Sequence, residues 1–174
     1  MQKKEKTMGL IMAIIVSAIM GLIFPIVARK IASPEALASM PPVAIMLISS
    51  VIESVIVGII VAIVIPIGKM GRAMTIKANA RPGSLKFNLI NSIPFAVINA
   101  ILVSAIVSFI SVAQSYAHIP AEEKPPLPIM WFGSWLPTLP LSIIVSYIFA
   151  VILAPIVAKA IGLSGPPSPA EKTD

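Results

Sequence analysis

Four long apolar segments are the feature that most constrains what this chain can fold into. A helix needs about 20 mostly apolar residues to cross the hydrocarbon core of a bilayer. Only 11% of the residues are charged, against 57% that are hydrophobic. We therefore predict an all-α membrane protein with four transmembrane helices, over Met8–Ala28, Val43–Ile67, Leu89–Ala113 and Ile129–Val157.

The cationic residues predict how the chain is oriented. Ten of the thirteen Lys and Arg residues lie before the first span, between the second and third spans, or after the fourth. The positive-inside rule then places both termini of this multi-pass protein in the cytoplasm. The first apolar run follows "MQKKEK", as in a signal peptide, but it exceeds the 7–15 residues typical of one, which favours a retained span.

The two halves of the chain contain similar short sequences. "VSAIMGLI" at 16–23 matches "VSAIVSFI" at 103–110, and "PPVAIM" at 41–46 matches "PPLPIM" at 125–130. This pattern indicates an internal repeat. We predict one membrane domain over 1–174, built from two parallel-repeat helical hairpins: a first hairpin 8–69, a basic cytoplasmic connection 70–88, a second hairpin 89–159 and a disordered tail 163–174.

The second half also resembles a known family. Ser104, Ser108 and Ser111 are followed by Trp131 and Trp135, and the last apolar run closes with Ala154, Pro155 and Lys159. This order is similar to that of domain of unknown function 2798, an uncharacterised bacterial family of paired membrane helices. The resemblance implies a tandem copy here, clearer in the second half than in the first. It implies the bacterial plasma membrane as the location, and it implies no activity.

Small residues recur at every fourth position of each span. In lipid, such rows allow the close backbone approach that holds helices together. We therefore expect the helices to pack, or copies of the chain to self-associate, through these faces. The rows are Gly9, Ala13, Ser17 and Gly21; Ser50, Ser54, Gly58 and Ala62; Ser92, Ala96, Ala100, Ser104 and Ser108; and Ser134, Thr138, Ser142, Ser146, Ala150, Ala154 and Ala158.

One acidic residue, Glu53, lies in the middle of the second span. A charge at that depth costs about 2.5–3.5 kcal/mol, so we expect the carboxyl to be neutral or paired. Asn99, Ser17 and Ser142 reach a similar depth and complete a candidate intramembrane polar site. Two interpretations follow: a hydrogen-bonded glutamate that fixes helix register, or a proton-carrying carboxyl beside a solute path. The second repeat has no matching acid, which favours the structural interpretation.

Other features bound the chemistry. There is no cysteine, and the single His118 is expected to be a solvated loop residue rather than part of a metal site. Trp131 and Trp135 are predicted to anchor the outer interface rather than form a ligand cage. Pro137 and Pro140 should kink the fourth span or leave its outer end non-helical.

These features favour one function class over another. We find no catalytic residue set and no cofactor motif, and we predict no enzyme activity, no metal and no nucleic-acid partner. The leading prediction is a small structural or accessory membrane protein. The alternative is a proton-coupled carrier or channel that uses Glu53. The predicted partners are the lipid bilayer, anionic headgroups at the basic connection, and a second copy or another membrane protein.

Overall fold

The computed structural model describes residues 2–31, 34, 37, 40–117, 119, 120, 122 and 124–162. Throughout these ranges the regular structure is helical, with no strand. His118 and the predicted tail 163–174 lie outside the described residues. The helices are α1 (Gln2–Ile31), α2 (Val43–Val64), α3 (Ile67–Lys77), α4 (Leu85–Ile98), α5 (Ser104–Ala117), α6 (Leu127–Trp135) and α7 (Leu139–Ala160).

Two short segments of other helix types join these elements into longer spans. A π-helical segment, Asn99–Val103, links α4 to α5, and a 3₁₀ turn, Leu136–Thr138, links α6 to α7. The prediction of four membrane-spanning helices is confirmed by length and hydropathy. The four spans are Lys6–Lys30, Val43–Val64, Leu85–Ala117 and Leu127–Ala160.

The spans form a bundle of two antiparallel helix pairs. α1 packs along α2, while α4 and α5 pack against α7 and α6. The pairs meet where α1 contacts α7 and where α2 contacts α5 and the π-helical segment. Each span therefore has neighbours on two sides, and the remaining side of each helix faces outward.

The small-residue rows lie at these helix contacts. An added Cβ at Gly21 would come within 2.7 Å of the Val51 Cα, and one at Gly58 within 2.9 Å of the Ser17 Cβ. The expectation that helices pack through these rows is confirmed inside one chain. The buried members are Ala13, Ser17, Gly21, Ser54, Gly58, Ser92, Ala96, Ala100, Ser104, Ser142, Ser146, Ala150 and Ala154.

The second span ends earlier than predicted, and a separate helix follows it. α2 stops at Val64 instead of Ile67, because the residue before Pro66 is pushed into an extended conformation, with Ile65 at φ −105° and ψ 123°. α3 then occupies much of the segment that we had treated as a connection. It buries Ile67, Gly71 and Thr75 on one side and packs against α4 and α1.

The third span starts four residues before the predicted Leu89. Ser84 caps α4, since its Oγ accepts a hydrogen bond from the Phe87 backbone N–H at 3.1 Å. Such a cap satisfies one of the four N–H groups that a helix start leaves unpaired. Lys86 donates to the Ala78 carbonyl at 2.8 Å and ties this start to the end of α3.

The third span supplies a hydrogen bond to a carbonyl that a proline of the fourth span leaves unpaired. Pro155 lies inside α7 and has no N–H, so the Val151 carbonyl one turn earlier loses its helical hydrogen bond. The Asn88 side chain donates Nδ2–H to this carbonyl at 2.7 Å. Tyr147 donates to the Leu89 carbonyl at 3.3 Å close by. Two interhelical bonds therefore connect the start of α4 with the second half of α7.

Candidate intramembrane polar site

The four predicted site residues do not form one hydrogen-bonded cluster. Ser17, Asn99 and Ser142 are buried, whereas Glu53 is partly exposed. Within the described part of the chain, Glu53 makes no hydrogen bond or ion pair, so it is bonded neither to Asn99 nor to a serine. Ser142 donates to the Thr138 carbonyl of its own span at 2.7 Å, which satisfies that hydroxyl locally.

Glu53 points away from α1. At 3.6 residues per turn, its side chain lies about 140–160° around α2 from Gly58 and Val51. Those two residues face α1 at its Ser17 and Gly21 positions. Ser54, next to Glu53, is buried, and Ile52 on its other side is exposed. The carboxyl therefore lies at the margin of the bundle.

Asn99, in contrast to Glu53, lies inside the bundle. It begins the π-helical segment, which contacts α1, α2 and α7. Its side chain is only 1% exposed, and its Nδ2 atom has no hydrogen-bond partner. A buried, unpaired polar group costs about 1–3 kcal/mol. π-helical segments are frequent at functional sites, so Asn99 is a candidate functional residue.

Four buried hydroxyls share this unpaired state and come from all four spans. Ser17 lies on α1, Ser54 on α2, Ser92 on α4 and Ser146 on α7, and none of their Oγ atoms has a partner. The prediction included Ser17 and missed the other three. Their membership in the small-residue rows was a sequence signal for burial, but it carried no information about hydrogen bonding.

The two tryptophans bond to the third span. Trp131 donates Nε1–H to the Ala105 carbonyl at 3.1 Å, and Trp135 donates to Ser104 Oγ at 2.8 Å. Their rings stack with centroids 5.7 Å apart, and Phe109 meets Trp131 edge-on at 5.5 Å. Both indole N–H groups are therefore used within the protein, and the anchoring of the two rings at the outer interface stays a prediction.

Ser104 continues this contact into the π-helical segment. Its hydroxyl donates to the Ala100 carbonyl while accepting the bond from Trp135. These two hydrogen bonds, from the Trp135 indole to the Ser104 hydroxyl and from that hydroxyl to the Ala100 carbonyl, hold the fourth span against the third. They lie just before the 3₁₀ turn at Leu136–Thr138. Pro137 and Pro140 thus produce a short 3₁₀ interruption, with helix on both sides, and the outer end stays helical.

The Trp135–Ser104 bond should be measurable as a coupling energy. We expect Trp135→Phe and Ser104→Ala to be non-additive by about 0.5–1.5 kcal/mol in the free energy of unfolding, because either change alone removes the same bond. Ser108 lies one turn further along and makes no hydrogen bond. The pair Trp135→Phe and Ser108→Ala should therefore be additive. Equal coupling in both cycles would contradict a specific bond.

Comparisons with protein-family models, curated proteins and solved structures found no match for this chain. The resemblance to domain of unknown function 2798 therefore stays a prediction. Among the described residues, no group of three His, Asp or Glu side chains lies close enough to hold a metal ion.

Proposed function

We propose that the protein is a small structural or accessory membrane protein. The observation that carries this proposal is that small-residue faces of all four spans are buried against one another within a single chain. Gly21 and Gly58 bring backbone atoms of α1 and α2 together at distances that leave no room for a Cβ. Such close contacts hold α1 and α2 together as one rigid pair.

We propose that both termini lie in the cytoplasm of a bacterium, with the protein in its plasma membrane. The distribution of Lys and Arg supports this orientation. It places α3 at the cytoplasmic surface, where its exposed side carries Lys69 and Lys77 together with the apolar Met70, Met74 and Ile76. Cationic and apolar side chains on one short helix suit contact with anionic headgroups, at about 1 kcal/mol per cation.

A second candidate function is a proton-coupled carrier or channel. The observation in its favour is the unpaired Nδ2 of Asn99, in a π-helical segment where the other three spans converge. A carrier would use Glu53 as the titrating group near the same depth. Glu53 lies at the bundle margin without a bond to Asn99, which makes this the weaker proposal.

Proton flux across vesicles separates the two functions. The purified protein would be reconstituted into sealed lipid vesicles that hold a pH gradient and an internal pH dye. We expect the gradient to decay no faster than in protein-free vesicles, for the wild type and for Glu53→Gln alike. Flotation of the vesicles with the protein would confirm insertion, and an added ionophore would confirm that they are sealed.

A pH gradient that decays faster with the protein would establish the carrier function. Faster decay with the wild-type protein, abolished by Glu53→Gln, would overturn the structural proposal. Glutamine keeps the shape and hydrogen bonding of the side chain but cannot titrate. That variant therefore tests whether proton transfer by the carboxyl is needed, and it leaves the fold intact.

A further inference from the structure

Glu53 is an acidic residue for whose carboxyl the described part of the chain provides no partner. It lies near the middle of α2 and makes no hydrogen bond within the described residues. Its side chain is partly exposed, at a depth where the surroundings of the bundle are hydrocarbon. Lipid tails cannot donate or accept a hydrogen bond, so a carboxyl there is costly until a polar group reaches it.

The outward side of α2 around Glu53 has the spacing of a helix-pairing seam. Ser49, Glu53, Ile56, Ile60 and Ile63 are separated by alternating steps of four and three residues. This is the a/d pattern with which two helices pair along their lengths. Ile56, Ile60 and Ile63 are 53%, 55% and 73% exposed, so the seam is not used inside the bundle. A single polar residue at an a position is typical of seams that specify one partner and one register.

A second outward face, on α7, provides a contrast. It exposes Ile144, Ile148, Ile152 and Ile156, which recur at a spacing of four, as Ile48, Ile52, Ile56 and Ile60 also do on α2. The α7 face carries no ionisable residue, and lipid tails cover isoleucine without cost. The α2 seam differs because it contains the Glu53 carboxyl, to which lipid tails cannot hydrogen-bond.

We infer that a second copy of this chain docks on the α2 seam, so that the two Glu53 side chains hydrogen-bond to each other near the bilayer midplane. Copies inserted in the same orientation and related by a two-fold axis along the membrane normal bring identical residues to identical depth. A carboxyl in its acid form both donates and accepts a hydrogen bond, so it is complementary to its own copy. Ile56, Ile60 and Ile63 would then pack against their counterparts along the same axis.

This dimer deepens the structural role proposed above and rests on it, but it assigns the self-association to a different surface. Most members of the small-residue rows are already buried within one chain. The α2 seam remains accessible. A dimer formed there leaves the bundle of each copy unchanged.

Disulfide cross-linking would test the seam directly, because the chain contains no cysteine. Single variants Ile56→Cys and Ile60→Cys would be reconstituted in vesicles at high lipid-to-protein ratio and oxidised. We expect both to form covalent dimers. Ile148→Cys and Ile152→Cys, on the exposed face of α7, serve as matched controls and should stay monomeric. Equal cross-linking from both faces would overturn the assigned surface.

The role of the carboxyl would be tested in the Ile60→Cys background. Glu53→Leu should lower the dimer association constant about tenfold, whereas Glu53→Gln should retain it, since an amide also donates and accepts. The unfolding of each variant in detergent would show that the bundle is intact. Unchanged association of Glu53→Leu would overturn the contact between carboxyls.

The outcomes separate the dimer from the proposed function. A chain that stays monomeric in pure lipid would overturn the second copy as the occupant of the seam and would leave Glu53 to a different membrane protein. The flux measurement is made independently of cross-linking. Proton transport would overturn the structural role, whatever the oligomeric state.

Discussion

Replacing Gly21 with alanine is expected to lower the free energy of unfolding by about 1–3 kcal/mol. The new Cβ would lie 2.7 Å from the Val51 Cα and 2.8 Å from the Ser50 carbonyl oxygen. Both are backbone atoms of α2, so no side-chain rotation can make room. α1 and α2 would have to move apart, and every neighbouring contact of the small-residue faces would weaken with them. In lipid this is costly, because close packing is the main attraction between helices.

A glycine in the same helix provides the control. Nothing lies within 4 Å of a Cβ added at Gly9. Gly9→Ala should therefore leave the stability unchanged or raise it by up to about 1 kcal/mol, through the better helix propensity of alanine. Unfolding in mixed micelles, followed by circular dichroism, would compare the two variants. If both changed the stability equally, the contact at Gly21 would not be a determinant of the bundle.

The sequence predicted the number of spans because length and hydropathy decide them. It also predicted which faces meet, since rows of Gly, Ala and Ser mark close helix contacts. These are properties of one segment at a time. The end of α2 was misplaced by three residues, although the extended residue before Pro66 was a readable signal. Ser84 after Pro82 and Gly83 was likewise a readable cap for α4, and it was missed.

The site was less predictable, because it depends on direction around the helix as well as on depth. Depth alone grouped Glu53 with Asn99 and with serines of two other spans. The structure instead buries Asn99 and leaves Glu53 at the margin. The segment Asn99–Val103 has no residue type that marks a π-helix, so its turn toward the other spans could not be read from "NAILV". The bonds of Trp131 and Trp135 to the third span are tertiary contacts, which composition does not reveal.

Two asparagine substitutions in the third span should have opposite effects, one near the middle of the span and one near its start. Asn99→Leu is expected to raise the free energy of unfolding by about 1–3 kcal/mol, since it removes a buried amide that has no partner for its nitrogen. Leucine keeps the branched shape of the side chain. Asn88→Leu, the same change on the same span, should lower the stability by about 1–3 kcal/mol. It would leave the Val151 carbonyl, already deprived of its helical bond by Pro155, without a donor.

The opposite signs of the two changes in the free energy of unfolding distinguish an unpaired amide from a bonded one. Both variants exchange an amide for hydrocarbon, so their difference reports only whether that amide is bonded. Leucine is somewhat larger than asparagine, and Asn99→Ala separates the removal of the amide from any crowding. If both Asn99 variants destabilised the protein as much as Asn88→Leu does, Asn99 would have a bonded partner in the membrane. A stabilised Asn99→Leu would mean that the bundle carries an unpaired amide at a cost. Proteins retain such costs mainly where the group has a function beyond folding.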